Sequence, residues 1–141
     1  MKKLLYISLL IFFSNCESDD TINNCNFLID VGVNATINLN LPEYSQLMFT
    51  SNVVYIANQG NAGIYIINVG NNNYRAWDAA DPNRVQQPCS FLQREGVEVV
   101  STCPDENRYN LYTGASLEKQ LPCGLKEYRV TVSGANIVIS N

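Results

Sequence analysis

Residues 36 to 41 read Thr-Ile-Asn-Leu-Asn-Leu, and this strict alternation restricts the fold more than any other feature of the chain. A period of two puts Ile37, Leu39 and Leu41 on one face of an extended segment and Thr36, Asn38 and Asn40 on the other, the mark of a half-buried strand. Further strands are expected at "NVVYIA", at "GIYIINV" (Gly63 to Val69), at "YRAW" (Tyr74 to Trp77) and at "VEVVS" (Val97 to Ser101). Tyr128 to Val132 and the final "IVIS" form a closing hairpin around "SGAN", where Gly134 and Asn136 supply the turn chemistry. Only Leu41 to Met48 has room for a helical turn. No amphipathic helix, repeat or heptad interrupts the pattern. The expectation is an all-β domain, a small antiparallel sandwich or barrel of short strands. The Gly/Asn-rich stretches "NQGNAG" and "GNNNY" precede no helix, so no helix dipole awaits a phosphate there, and both read as hairpin turns.

The N-terminus sets the compartment. Met1-Lys2-Lys3 is a short basic start, and Leu4 to Phe13 is an apolar run broken only by Ser8. The run is too short to span a bilayer and fits a signal-peptide core. It stops at "FFSNC", which resembles a lipobox, in which cleavage before the cysteine leaves that residue to be acylated with palmitate-type chains. The expected division is a lipoprotein signal peptide over 1–15, an acidic flexible tether over 16–24 that begins at the lipidated Cys16, and a β domain over 25–141. Ser18-Asp19-Asp20 behind the cysteine resembles a surface-export signal of some Gram-negative lipoproteins, and Asp20-Thr21-Ile22 resembles a bacterial O-glycosylation site. The expected location is therefore the outer membrane or cell surface of a Gram-negative bacterium.

Charge narrows the partners. The chain has 9 basic and 13 acidic side chains; Lys2 and Lys3 leave with the leader and no acid does, so residues 16–141 carry about −6. Such a surface repels phosphate backbones and anionic lipid, which argues against nucleic acid and leaves the lipid as the membrane contact. The remaining partner is an unidentified envelope protein or ligand.

Besides Cys16 there are Cys25, Cys89, Cys103 and Cys123, an even number in an oxidising compartment, which reads as two disulfides. Four cysteines allow three pairings. Cys89–Cys103 and Cys25–Cys123 are favoured, the first closing a short loop and the second tying the N-terminal segment to the stretch before the last hairpin. A zinc site is disfavoured, because no C-x-x-C pair and no histidine exist.

The stretch "CPDENRYNLYTG" (Cys103 to Gly114), followed by "EKQLPCGLKEYRVTVSGANIVIS", resembles the second half of a Rieske-type iron–sulfur domain. That family holds a two-iron, two-sulfur cluster between a Cys-x-His loop and a Cys-x-x-His loop. An aromatic or apolar residue, a "TG" turn, a Pro/Leu-containing approach and a terminal hairpin follow the second loop. Upstream, "YRAWDAADPN" resembles the approach to the first loop. The resemblance implies a Rieske-like fold from about Ile64 onward and places the ligand positions at Asp81, Asn83, Cys103 and Glu106. Three of the four ligands are therefore replaced, and no [2Fe–2S] cofactor is expected. The alternative is an electron-transfer protein of the Rieske type with an altered metal centre. Family members often bridge the two loops with a disulfide beside the metal, which implies the same place for Cys89–Cys103.

Three further features bear on chemistry. Asp78, Asp81, Asp105 and Glu106 are candidates to meet near the loop tips; solvated acids are expected rather than a cation site or a catalytic pair. Cys103 has no histidine to activate it as a nucleophile, and Lys119, Lys126 or an arginine would only lower its pKa. Tyr74, Trp77, Tyr109 and Tyr112 gather near both loops as a candidate binding patch, with Trp77 and Tyr112 expected to pack inside. No catalytic constellation is visible. The expected role is binding or structural support.

Overall fold

The computed structural model describes residues 24–141. The leader, Cys16, the acidic motif behind it and the Asp20-Thr21-Ile22 motif lie outside the described residues. The described chain is all-β, as the alternation predicts. Its strands are β1 (Asn34–Asn38), β2 (Val53–Ile56), β3 (Ile64–Gly70), β4 (Asn73–Asp78), β5 (Gln93–Glu95), β6 (Glu98–Val100), β7 (Arg108–Asn110), β8 (Ser116–Leu117), β9 (Glu127–Ser133) and β10 (Asn136–Ser140). The helical turn anticipated near Met48 is a 3-10 turn at Ser45–Met48.

Ten strands make two antiparallel sheets. One has the order β1-β10-β9-β4-β3-β2, and the other, inserted in the chain between β4 and β9, has the order β5-β6-β7-β8. Strand β3 shows why two layers form. Its apolar run is buried on both faces, so it needs a core on each side. Ile64 and Ile66 join Val54, Ala76, Tyr128, Ile137 and Ile139 in one core, closed by β1, β9 and β10. Tyr65 and Ile67 join Val53, Trp77, Val99, Tyr109 and Leu111 in the second, closed by the small sheet. Register carries this through: Tyr65 faces Trp77 and Ile66 faces Ala76 across the β3–β4 ladder.

The turns follow from backbone chemistry. Asn71 and Asn72 both have positive φ, 52° and 57°, in the β3–β4 hairpin, a conformation asparagine tolerates and hairpin twist requires. Differences from the sequence reading are local. The first strand is Asn34–Asn38, not Thr36–Leu41: Leu39 still donates its N–H to Ala135 O at 2.8 Å, but Leu41 has turned out to solvent. Strands β5, β7 and β8 are additional; each has only two or three residues, too few for alternation to register.

Candidate functional site

The two loops that the resemblance singles out leave β4 and β6. The first runs from Ala79 to Leu92 and the second from Ser101 to Asn107. A disulfide joins them, Cys89–Cys103, with Cα atoms 4.8 Å apart. Backbone bonds run beside it. Thr102 N–H and Ser101 Oγ both donate to Cys89 O, each at 3.0 Å. Arg84 Nη1 of the first loop reaches Asp105 Oδ2 of the second at 3.1 Å. Lys119 Nζ donates to Asp105 O.

Asp81, which the resemblance places at the first cluster-cysteine position, is buried, not solvated, which corrects the expectation for this acid. Four neighbours explain the burial. Oδ1 accepts from the Tyr109 hydroxyl at 2.5 Å and from Asn83 N–H at 2.9 Å, and Oδ2 accepts from Asn107 Nδ2 at 2.9 Å. Its own N–H donates to Ser90 O at 2.9 Å, beside the disulfide. A carboxylate that accepts several hydrogen bonds tolerates a dry site that an unpaired one does not.

The resemblance places Asn83 at the first cluster-histidine position. Its Nδ2 donates to the Tyr109 hydroxyl at 2.8 Å and to Cys123 O at 2.7 Å, and its Oδ1 accepts Cys123 N–H at 3.1 Å. Cys123 is bonded to Cys25, with Cα atoms 5.6 Å apart. The first loop, the second loop, the approach to the last hairpin and the N-terminal segment therefore meet at one network. Cys103 is buried in its disulfide, with Gln87 Nε2 3.7 Å from its Sγ. Glu106 is exposed at φ 47°, in a turn closed by its N–H to Cys103 O at 2.9 Å.

Asp78 is buried too, again against expectation, and faces another group of partners. Its Oδ2 accepts from the Tyr128 hydroxyl at 2.6 Å and from both the N–H and the Nδ2 of Asn61 at 2.8 Å; its Oδ1 accepts from Ala80 N–H at 2.9 Å. "NQGNAG" is thus a turn, as read, that also presents Asn61 to this acid. The four acids do not converge, and among the described residues no group of three Cys, Asp or Glu is placed to hold a metal ion. Burial pushes both the Tyr109 and the Tyr128 hydroxyl well above the ordinary tyrosine range, and the bond each makes to its aspartate adds to the effect.

The aromatic patch is corrected. Tyr109 is fully buried and Trp77 is 2% exposed, with its indole N–H donating to Leu111 O at 2.7 Å. Arg75 lies over the Trp77 ring at 4.4 Å and donates to Tyr112 O at 2.7 Å. Tyr74 packs against the first core and Tyr112 against the second. Trp77 and Tyr112 pack inward as expected; the four rings do not share a surface. The partners missed in the sequence are Asn107, Arg84, Asn61 and Tyr128. Only "DPNR" (Asp81 to Arg84), a turn with three polar side chains, gave a local signal.

The four positions do not fit an iron–sulfur cluster. The set needs two thiolates and two imidazoles; it has a hydrogen-bonded carboxylate, an amide, a half-cystine and an exposed carboxylate in a turn.

No family model matches the sequence, and no curated protein matches it. Solved structures do. The ferredoxin of carbazole 1,9a-dioxygenase from Nocardioides aromaticivorans IC177 is 16% identical, with 78% of this chain and 97% of that one covered at a TM-score of 0.45. A protein assigned as the small subunit of an NADPH nitrite reductase is 18% identical, with 74% and 97% covered at 0.42. A protein assigned as the NADH-dependent nitrite reductase small subunit from Mycobacterium tuberculosis is 15% identical, with 79% and 97% covered at 0.45. In this chain the first loop, the second loop, the Thr113-Gly114 turn, the Leu121-Pro122 approach and the β9–β10 hairpin follow in the order that the Rieske resemblance implies.

Proposed function

We propose that this chain is a lipid-anchored envelope protein with a Rieske-like fold in which a disulfide and a buried, hydrogen-bonded acid hold the two loops together in place of a cluster. Its role is binding or structural support, not electron transfer. The single observation that carries the reading is the Asp81 network. An aspartate whose oxygens accept from Tyr109, Asn83 and Asn107 is committed to joining the loops. The Cys89–Cys103 bond commits the remaining thiol to the same task.

The proposed anchor adds a second element to this reading. Cys16 carries the lipid, and the tether reaches the domain at Cys25, which is bonded to Cys123 beside Asn83. The tether therefore enters the domain at its loop end. The fold alone assigns no ligand.

The test is a thiol count on the full chain purified from an oxidising envelope, by alkylation and intact mass. The expected result is no alkylation of Cys25, Cys89, Cys103 or Cys123 without reductant, and acyl mass on Cys16. A reactive Cys103 would contradict the loop arrangement. An unacylated N-terminus would contradict the anchor and leave the loop reading standing.

A further inference from the structure

Charge is spread unevenly along the chain. Between Asp30 and Arg75 the sole charged side chain is Glu43, and none follows Arg129. These stretches build β1 and β10 at one edge of the large sheet and β2, β3 and the 3-10 turn at the other, so the β2 edge is nearly without charge. Large apolar side chains are exposed there: Met48 at 54%, Phe49 at 65% and Tyr55 at 48%. Charge-poor surface with exposed aromatic and methionine side chains is the composition of an interface core.

Strand β2 runs along this surface and ends the sheet. Apart from its ladder with β3, no hydrogen bond from another described residue reaches its backbone. Exposed edges are ordinarily guarded by a charge, a proline or a bulge. Val53–Ile56 has none of these, and its register with β3 is unbroken.

Two observations select what covers it. A strand edge pairs antiparallel with a copy of itself about a two-fold axis, so one set of residues serves both sides. Copies of this chain also share a net negative charge and repel wherever charged surfaces meet, whereas an uncharged face is self-complementary. We propose that the β2 edge, flanked by Met48 and Phe49, is a self-association surface on which a second copy docks β2 against β2, continuing the sheet across two subunits. Met48 and Phe49 sit toward the β3–β4 hairpin, where Ser51 N–H donates to Asn68 O at 2.8 Å, at the opposite end of the sheet from the loops. Met48 and Phe49 therefore lie away from the loop end.

The test is the mass of the full chain in mild detergent, by light scattering over a hundredfold range of concentration. The expected result is two chains per particle at the upper end and dissociation on dilution, with Phe49→Lys weakening the association at least tenfold. Phe49 is mostly exposed, so this variant keeps its fold; Met48→Lys is a second, independent variant, and circular dichroism of both checks folding. One chain per particle at every concentration overturns the proposal. So does a dimer that both folded variants leave unchanged.

Discussion

The hydroxyl of Tyr109 donates a 2.5 Å hydrogen bond to Asp81 Oδ1, and both residues are fully buried. Tyr109 belongs to β7 and Asp81 to the loop after β4, so the bond fastens the small sheet to the first loop. Replacing the acid removes the acceptor for three donors at once, two of them buried. Asp81→Ala should cost about 3–5 kcal/mol, because unsatisfied buried donors cost about 1–3 kcal/mol each and the costs overlap. Tyr109→Phe, which loses one bond and keeps the ring, should cost about 1–2 kcal/mol. Urea unfolding followed by the emission of Trp77 measures both.

The alkaline limb of stability follows from the same tyrosines. Tyr109 and Tyr128 hold their protons in the folded state well above the ordinary value of 10.0. The unfolded chain releases those protons near pH 10 while the folded chain keeps them, so the unfolded state then binds fewer protons and stability falls as pH rises. Their contribution is complete below about pH 10 and is lost progressively above it. Denaturation midpoints from pH 7 to 12 should show the fall, and Tyr109→Phe should make it shallower. Absorbance titration should show exposed tyrosines ionising first and these two only as the fold opens.

The disulfides should differ in weight. Cys25–Cys123 closes a separation of 98 residues and Cys89–Cys103 one of 14. In the chain-entropy model the long closure is worth about 4–5 kcal/mol and the short one about 3 kcal/mol. Denaturant midpoints of Cys25→Ser/Cys123→Ser and Cys89→Ser/Cys103→Ser should rank in that order.

Gly114 ends the "TG" turn at φ 73°, and a Cβ there would sit 2.4 Å from the Trp77 ring. Backbone strain and overpacking add, so Gly114→Ala should destabilise by about 2–4 kcal/mol. Thermal unfolding checks it. A neutral outcome would mean that the turn and the indole are not locked together.

Legibility in the sequence tracked the range of the interactions. The β3 run and the β9–β10 hairpin were readable because period and turn chemistry are local. The three polar residues of β5 carry no apolar period and were invisible. The "TG" turn and the cysteine arithmetic located both loops. The burial of Asp81 was not readable: its partners Asn107 and Tyr109 lie 26 and 28 residues onward, and an acid before a proline reads as a solvated turn. Tyr109 was misplaced for a related reason. A strand as short as Arg108–Asn110 does not reveal which of its side chains faces in.

The most direct test of the central claim, that the loops are held without a cluster, is iron and acid-labile sulfide per chain, measured with the absorbance and electron paramagnetic resonance spectra. The protein should be the full chain, taken through anaerobic iron–sulfur reconstitution without reduction of its disulfides. The expected result is substoichiometric iron, no cluster spectrum, and an unfolding midpoint unmoved by chelator. Two irons and two sulfides per chain with a reducible paramagnetic signal would contradict the account and return electron transfer as the function of this fold.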